Sequence, residues 1–325
     1  MDKKAIAIVG CGNVGSRHLQ AIAKLPVTVI VDIIEPSESA RRLAESRLTE
    51  VPHNKSNLHL NWYKSIHDLK FGGHLLTIVA TSSIDRINTI DQLLESGHSR
   101  FLIEKMVCQS AKDYDTLLSK IKAHDAKGWV NTPRRYYKSY QEIRECFGTT
   151  GPIHISVLAG NMGLGSNAIH FLDLFSWFCN DYKISLGEAL YDKVFPNKRG
   201  PNLVEFAGTI IGFSRDASIL EVSFLPSNED MPLIVSITTK DMHLAINESK
   251  EKFIAESNSC LSNLKFQNEY VSDLTARIAN DILTTDNCLL PTLENSYYSH
   301  CELFRIFNAH LKKLTGMERE LCPIT

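Results

Sequence analysis

The arrangement of apolar and polar positions along the chain changes near residue 126. Before that point, short runs of consecutive apolar residues are separated by segments with helical spacing. Uninterrupted apolar runs are typical of strands that are covered on both faces, as in a parallel sheet with right-handed crossovers. The predicted strands are 5–9, 27–34, 58–63, 75–80, 101–103 and 128–131, and the predicted helices include 37–45, 87–96 and 111–124.

After residue 126 the strand-like runs are short, alternate between polar and apolar residues and are linked by turns, which is typical of an antiparallel sheet. The chain of 325 residues is also too long for one ordinary core. We therefore predict an α/β fold with two domains. Residues 1–126 form a Rossmann domain with a doubly wound parallel sheet, and residues 127–325 form an α+β domain with a large, mostly antiparallel open sheet. The predicted strands of the second domain are 153–158, 188–194, 203–213, 218–224, 233–238 and 243–247, and its predicted helices are 139–146, 167–178, 271–283 and 294–314.

A glycine turn lies between the first predicted strand and the first helix. Gly10 permits a tight turn, Gly12 lets a pyrophosphate approach the backbone, and Gly15 lets the helix pack on the strand. The free N–H groups of the helix N-terminus then face the phosphates. The sequence predicts a dinucleotide site at this turn, formed by Gly10, Gly12, Asn13, Val14 and Gly15.

An acidic residue is expected about 20 residues after such a turn, at the end of the second strand. Glu35 occupies this position, whereas Asp32 falls inside the apolar run. A carboxylate accepts a hydrogen bond from the ribose 2′-hydroxyl and repels a 2′-phosphate, so Glu35 favours NAD over NADP. Arg41 and Arg42 follow closely and leave NADP open as an alternative.

Composition excludes several classes of function. The chain has 35 basic and 37 acidic residues and therefore a net charge of −2. The sequence lacks the block of basic residues that nucleic-acid binding requires. No apolar stretch approaches the roughly 20 residues of a membrane span, and the start lacks the pattern of a signal peptide.

Neither the eight scattered cysteines nor the histidines have the spacing of a metal site, and we interpret the cysteines as thiols rather than a disulfide framework. We expect a soluble cytoplasmic protein without metal, nucleic acid or membrane partners.

Several motifs, in their order and spacing, resemble one family over nearly the whole chain. It is the glucose–fructose oxidoreductase and inositol dehydrogenase family, often called Gfo/Idh/MocA. The motifs are VGCGNVGSRHL, IIEPSESARRLA, LLTIVATSS, LIEKMVCQS, NTPRRYYKSY, GNMGLGSNAIHFLDLFSWF and LLPTLENSYYSHCELFRIF.

The resemblance implies hydride transfer between a nicotinamide cofactor and the hydroxyl or ketone of a sugar-like or cyclitol substrate. It also implies a C-terminal open sheet that mediates oligomers, hence a homodimer or homotetramer. The segment GNMGLGSNAIHFLDLF resembles the corresponding segment of family members that serve polysaccharide synthesis. This likeness suggests a role in cell-surface sugar biosynthesis.

By position in these motifs, the resemblance assigns the candidate catalytic residues. Lys105 would hydrogen-bond the reacting oxygen, His170 would be the acid/base, and Asp173 would orient it or contact the substrate. Because the two reactive groups lie in different predicted domains, we expect both to face the nicotinamide across a shared cleft. Further candidates beside the cofactor are Thr81, Ser82 and Glu104.

Substrate contacts are expected near the start of the second domain and on the helix of His170. The arginine–aromatic cluster at 134–140 fits a substrate, with arginine for a carboxylate or phosphate and tyrosine for hydroxyls. The same cluster fits ion pairing and packing between domains equally well. The assigned substrate-binding residues are Arg135, Tyr140 and Asn167.

Two positions depart from the family pattern. Met106 replaces the proline that follows the lysine, so we expect the Lys105–Met106 peptide bond to be trans, or else strained and functional. Ser166 stands four residues before His170, where many family members carry an aspartate. These departures keep two alternatives open: a redox-neutral NAD-dependent enzyme like the family's glycosidases, and a non-catalytic NAD-sensing regulatory subunit.

Overall fold

The computed structural model describes residues 4–52, 56–70, 72–147, 151–227, 229–256 and 265–325. The chain divides into two compact units, each built from segments that are distant in sequence. The first comprises Met1–Cys108, Lys112–Pro133 and Glu269–Leu293, and the second comprises Gln109–Ala111, Arg134–Asn268 and Glu294–Thr325.

The first unit contains a six-stranded parallel sheet in the order β3-β2-β1-β4-β5-β6. This is the strand order of a Rossmann fold, so the predicted doubly wound parallel sheet is confirmed. In such a sheet all carboxyl ends of the strands lie at one edge, which is where ligands bind. The strands are β1 (Lys4–Val9), β2 (Val29–Ile34), β3 (Leu58–Tyr63), β4 (Leu76–Val79), β5 (Arg100–Glu104) and β6 (Lys127–Asn131).

The described residues of this unit form five α-helices, and one of them comes from late in the chain. They are α1 (Gly15–Ile22), α2 (Glu38–Leu48), α3 (Arg86–Glu95), α4 (Ala111–Ala123) and α7 (Val271–Thr285). The boundary expected at residue 126 places α7 in the second domain, whereas the structure packs α7 against α1 and β4. The reason is an apolar stripe on α7, with Leu274, Ile278 and Ile282 buried at helical spacing.

The second unit contains a seven-stranded sheet in the order β15-β14-β13-β7-β12-β11-β8. Only β7 and β12 pair in parallel, so the predicted mostly antiparallel sheet is confirmed. The strands are β7 (His154–Gly160), β8 (Ser185–Leu190), β11 (Gly208–Phe213), β12 (Ile219–Leu225), β13 (Ile234–Thr238), β14 (His243–Asn247) and β15 (Lys252–Glu256). The run expected as one strand over 203–213 is split, because β10 (Val204–Glu205) leaves the sheet to pair with β9 (Phe195–Pro196).

The described residues of the second unit also form the α-helices α5 (Lys138–Phe147), α6 (Leu164–Cys179) and α8 (Leu293–Thr315). Helix α6 packs on β10, β11 and β12 and is buried over most of its circumference. Between Leu164 and Phe178, the half-exposed residues of α6 are Ser166, Asn167 and His170. Their spacing of i, i+1 and i+4 places them on one face of the helix. The polar face of α6 is therefore the face that carries the candidate acid/base.

No helix among the described residues is long and apolar enough to cross a membrane. Among the described residues, six cysteines are free thiols, at positions 11, 108, 179, 288, 301 and 322. Cys146 is disulfide-bonded, so the interpretation of all eight cysteines as thiols is wrong for this residue. Cysteine spacing does not report which side chains meet in the fold.

Candidate functional site

The three glycines of the turn after β1 differ in what surrounds them. Gly10 has a φ of 81°, which favours glycine, and a Cβ on Gly15 would lie 1.9 Å from the Gly10 carbonyl oxygen. A Cβ on Gly12 would meet no atom of the described residues within 4 Å. Two of the glycines are thus required by the protein's own packing, while Gly12 borders space that the described residues leave open.

Arg47, from α2, fixes the orientation of this turn. Its Nη1 donates to the carbonyl oxygen of Asn13 and to Oγ of Ser16, both at 2.7 Å. In a trans peptide the carbonyl and the N–H point in opposite directions, so this contact directs the N–H of Val14 away from α2. The sequence contains no signal for this contact, because Arg47 lies 34 residues from Asn13.

Glu35 follows β2 and lies against the turn. Its Oε2 accepts a 2.7 Å hydrogen bond from the Cys11 N–H, and its Oε1 accepts one of 2.8 Å from the Ser37 N–H. Asp32 lies in a separate buried cluster, where it binds His74 Nε2 at 2.9 Å and accepts from Asn61 Nδ2 at 2.8 Å. Of the two acids considered from the sequence, the structure places Glu35 beside the glycine turn.

The loop after β4 contacts the same turn. A Cβ on Gly10 would lie 3.1 Å from Thr81, and the neighbouring Ser82 is exposed and accepts a 3.3 Å hydrogen bond from the Ile84 N–H. The buried guanidinium of Arg86 donates to the carbonyl oxygens of Thr81, Glu104 and Met106. Arg86 therefore ties the loop after β4 to the loop after β5, a role that an isolated arginine in the sequence does not indicate.

Glu104 ends β5 and is held by side chains of the first unit. Its Oε1 lies 3.0 Å from His18 Nε2 and accepts from Asn131 Nδ2, while His18 Nδ1 lies 2.8 Å from Thr275 Oγ1. Burial acts to raise the pKa of Glu104, but the hydrogen bonds from His18 and Asn131 and the nearby Lys105 outweigh it and lower the pKa. Glu104 is therefore an ionised anchor next to Lys105, engaged with protein side chains rather than open to solvent.

Lys105 follows β5 directly and is 5% exposed. The peptide bond from Lys105 to Met106 is cis, so of the two alternatives expected from the sequence the trans bond is wrong. The carbonyls on both sides of this bond, those of Glu104 and Met106, accept from Arg86.

In the second unit, the structure engages Asp173 with Arg135. Arg135 Nε donates to Asp173 Oδ2 at 2.8 Å, its Nη2 donates to Oδ1 at 2.5 Å, and its Nη1 donates to the Tyr182 hydroxyl at 3.0 Å. Burial acts to lower the pKa of Arg135, but the charge of Asp173 and the contacts with Tyr182 raise it overall. Arg135 and Asp173 therefore form a buried ion pair, and the expected roles of Arg135 in substrate binding and of Asp173 toward His170 or the substrate stay predictions.

Tyr140 lies in a second buried ion-pair cluster. Its hydroxyl donates to Glu248 at 2.5 Å, Arg134 binds the same carboxylate at 2.9 Å, and the Arg134 guanidinium stacks 4.1 Å from the Phe171 ring. Tyr140 is fully buried, and its assignment to substrate binding stays a prediction. The alternative interpretation of the arginine–aromatic cluster, as ion pairing and packing, fits both Arg134 and Arg135.

His170, Asn167 and Ser166 remain as the polar, half-exposed positions of α6. Asn167 donates its side-chain N–H to the Gly163 carbonyl at 2.9 Å. The backbone N–H and the hydroxyl of Ser166 donate hydrogen bonds to Glu205, a residue of β10 that lies outside the motifs quoted above. Across the described residues, no group of three or more His, Cys, Asp or Glu side chains is placed to hold a metal ion.

No protein-family model matches the sequence, and no curated protein matches it. Solved structures match nearly the whole chain. An oxidoreductase from Agrobacterium radiobacter, in complex with NAD+, L-tartaric acid and magnesium, is 12% identical, with a TM-score of 0.70 over 98% of each chain. WlbA dehydrogenase from Bordetella pertussis, in complex with NADH and UDP-GlcNAcA, is 12% identical, with a TM-score of 0.71 over 96% of each chain.

A third similar structure is scyllo-inositol dehydrogenase from Lactobacillus casei, with bound cofactor NAD(H) and scyllo-inositol. It is 15% identical, and the match has a TM-score of 0.63 over 96% of this chain and 97% of that chain. At these identities the likeness establishes the shared fold.

Proposed function

We propose that the chain is an NAD-dependent oxidoreductase that transfers a hydride between the nicotinamide and a hydroxyl or ketone carbon of a sugar-like or cyclitol substrate. The observation that carries the proposal is the glycine turn, with open space at Gly12 and the carboxylate of Glu35 against it. The fold shared with three structures that contain NAD or NADH supports the choice of cofactor. UDP-GlcNAcA and scyllo-inositol, bound in two of them, support the substrate class.

The first unit would hold the cofactor. Gly12 and the N–H groups of Asn13, Val14 and Gly15 would surround the diphosphate at the N-terminus of α1. A carboxylate has about four acceptor sites, and Glu35 uses two of them on backbone N–H groups, so it can also accept from a ribose hydroxyl. Thr81 and Ser82, on the loop next to Gly10, would lie along the path of the cofactor toward its nicotinamide end. The cofactor supplies the site that gains or loses the hydride.

The chain's own residues would then handle the proton. The ammonium of Lys105 would donate a hydrogen bond to the reacting oxygen and stabilise negative charge that develops on it. A ring nitrogen of His170 would take the hydroxyl proton during oxidation and return it during reduction. Asn167, on the same half-exposed face of α6 as His170, is the polar group that we assign to a substrate hydroxyl.

A panel of compounds tests the proposal. The full chain is incubated with NAD and, in separate reactions, scyllo-inositol, myo-inositol and UDP-GlcNAcA, and NADH formation is followed by absorbance. Formation of NADH with one of these classes supports the proposal. Turnover without added cofactor supports the redox-neutral alternative, and NAD binding without any turnover supports the non-catalytic one.

We also propose that the chain forms a homo-oligomer, a dimer or tetramer, through the outer face of the seven-stranded sheet. Three neighbouring strands expose apolar side chains there: Leu158, Phe213 and Ile219 are 37%, 47% and 37% exposed. Phe213 and Ile219 are register partners in β11 and β12, so part of this apolar surface is continuous. Light scattering of the wild type and of Phe213→Lys tests the assembly.

A cytoplasmic location and a role in cell-surface sugar biosynthesis stay predictions.

A further inference from the structure

The first residue of α3 is a buried cation. Arg86, Ile90 and Leu93 are spaced i, i+4 and i+7 and therefore lie on one side of this helix. The two apolar residues are fully buried, and Arg86 is buried with them, at 1% exposure. The stripe that anchors α3 in the core thus carries the guanidinium of Arg86 into the interior of the unit.

Three backbone carbonyls, from two loops, accept hydrogen bonds from this guanidinium. Nη1 of Arg86 donates to the carbonyl oxygens of Glu104 and Met106, and Nη2 donates to that of Thr81. Glu104 and Met106 are the neighbours of Lys105 in the chain, so one side chain holds the backbone on both sides of this lysine. The planar fork of an arginine, with five N–H donors, can reach acceptors in separate loops, whereas the ammonium of a lysine is a single point of donation.

Fold stability alone does not account for a cation at position 86. Burial of a charge costs free energy, and the helix dipole disfavours a positive charge in the first turn of a helix. A methionine would continue the apolar stripe of Ile90 and Leu93 without either cost. An apolar side chain cannot, however, supply N–H donors to the three carbonyls. We therefore attribute the arginine to the placement of the two loops.

Both loops belong to the candidate site. Thr81 lies against the glycine turn, since a Cβ on Gly10 would lie 3.1 Å from its backbone nitrogen and from its Cγ2. Glu104 is held through its carboxylate as well, which lies 3.0 Å from His18 Nε2. Lys105 thus follows a residue whose main chain and side chain are both fixed.

We propose that Arg86 is the positioning residue of Lys105. This inference rests on the proposed function, in which the Lys105 ammonium donates to the reacting oxygen. Arg86 fixes the backbone of Lys105 relative to the loop of Thr81, and through that loop relative to a cofactor at the glycine turn. A shift of about 1 Å in a group that acts on the reacting atoms can lower the rate by about 10².

The kinetic experiment compares Arg86→Met with Arg100→Met in the full chain, with NAD and the compound of the panel that turns over fastest. Arg100 begins β5, the strand that ends at Glu104, and binds Asp286 through Nε and, at 3.1 Å, through Nη2. Both changes remove hydrogen bonds of a guanidinium and should lower the melting temperature, so Arg100→Met is the control for lost stability. We expect kcat to fall by about 10² in Arg86→Met, with KM within about threefold of the wild type, and to stay unchanged in Arg100→Met.

Arg86→Lys separates the fork from the charge. It keeps a cation on an aliphatic stem, so its melting temperature should be closer to that of the wild type, and it keeps the inference testable if Arg86→Met does not fold. Because one ammonium cannot replace the fork, we expect kcat to fall by about tenfold. A wild-type kcat in Arg86→Lys, or equal losses of kcat in Arg86→Met and Arg100→Met, would overturn the inference.

A second readout does not depend on turnover. Acetylation by N-hydroxysuccinimidyl acetate is followed by mass spectrometry of the peptides that contain Lys105 and, as an exposed reference in the same unit, Lys64. Lys105 is 5% exposed and should react slowly in the wild type. We expect Arg86→Met to speed its acetylation relative to Lys64 by about tenfold, because the released loop opens locally. Arg100→Met should leave this ratio unchanged.

The acetylation ratio also separates this inference from the proposed function. An unchanged ratio in Arg86→Met, or the same rise in Arg100→Met, would overturn the inference and leave Arg86 as a structural contact between two loops. If no compound of the panel turns over, the proposed function fails, and acetylation alone decides whether Arg86 holds Lys105 in place.

Discussion

The N–H of Cys11 donates a 2.7 Å hydrogen bond to Oε2 of Glu35, which joins the glycine turn after β1 to the acid after β2. The residues are 24 positions apart and meet because β1 and β2 are adjacent parallel strands whose carboxyl ends lie at one edge. The turn and the acid are therefore one structural unit. A change in either should affect both the phosphate end and the ribose end of a bound dinucleotide.

Gly12→Val should abolish binding of NAD, because its branched side chain would fill the open space in front of the turn. Titration calorimetry with NAD measures the affinity. Gly187→Val is a matched control, since a Cβ on Gly187, in β8 of the other unit, also meets no atom of the described residues within 4 Å. Undiminished NAD affinity in Gly12→Val would show that the cofactor site is misplaced.

Glu35→Ser should raise the affinity for NADP relative to NAD by removing the charge that repels a 2′-phosphate. Arg41, whose Nε donates to the Glu35 carbonyl at 3.0 Å, is placed to contact that phosphate. NAD affinity should fall as well, since the Cys11 N–H loses its carboxylate acceptor. The measured quantity is the ratio of the two dissociation constants, with the exposed Glu38→Gln as control. A wild type that already prefers NADP would contradict the assignment of Glu35 to the ribose.

Arg47→Met should weaken binding of NAD and ADP-ribose by about tenfold, close to 1.4 kcal/mol, and leave adenosine binding unchanged. The reason is that Arg47 holds the Asn13 carbonyl and adds positive charge beside the turn, and both effects act on the diphosphate. Arg42→Met, on the exposed side of α2, serves as control because Arg42 pairs only weakly with Glu38 at 3.4 Å. Equal losses for adenosine and NAD would point to general damage to the unit.

Part of this architecture is local in sequence and was therefore predictable. The central strands β1, β2 and β4 of the first unit follow from uninterrupted apolar runs, and the turn at Gly10–Gly15 follows from glycine spacing between a strand and a helix. The partners of the charged residues could not be predicted in the same way. Arg135 meets Asp173, and Ser166 meets Glu205, over 38 and 39 residues, and periodicity reports which face a residue occupies but not which side chain it faces.

His98 should make the fold labile to acid. It is buried, stacks on His74 with the ring centroids 4.7 Å apart, and its Nδ1 lies 2.6 Å from Thr77 Oγ1. Burial and His74 lower the pKa of His98 from 6.5 to about 4, against an opposing effect of Asp32. Below pH 6.5 the unfolded chain binds a proton that the folded chain does not, so stability is lost as the pH falls toward 4.

The expected loss of unfolding free energy from this group is about 2 kcal/mol at about pH 5 relative to neutral pH. Urea unfolding at the two pH values measures it. His98→Asn keeps a polar partner for Thr77 and cannot titrate, so its stability should depend less on pH by that amount. His67→Asn, an exposed position of the same unit, should behave as the wild type. An unchanged pH dependence in His98→Asn would assign the acid lability to other groups.

Lys105 and His170 should act as one unit in catalysis. A lysine that stabilises charge on the reacting oxygen and a histidine that takes the proton from that oxygen serve the same step. Each single change, Lys105→Met or His170→Gln, should reduce kcat by about 10² or more and leave the NAD dissociation constant nearly unchanged. Because both residues serve one proton transfer, the double variant should lose little more than the worse single variant. Two independent sites would give losses that multiply. A Lys105→Met variant with full activity on an identified substrate would rule out this mechanism, while the NAD site at the glycine turn could still stand.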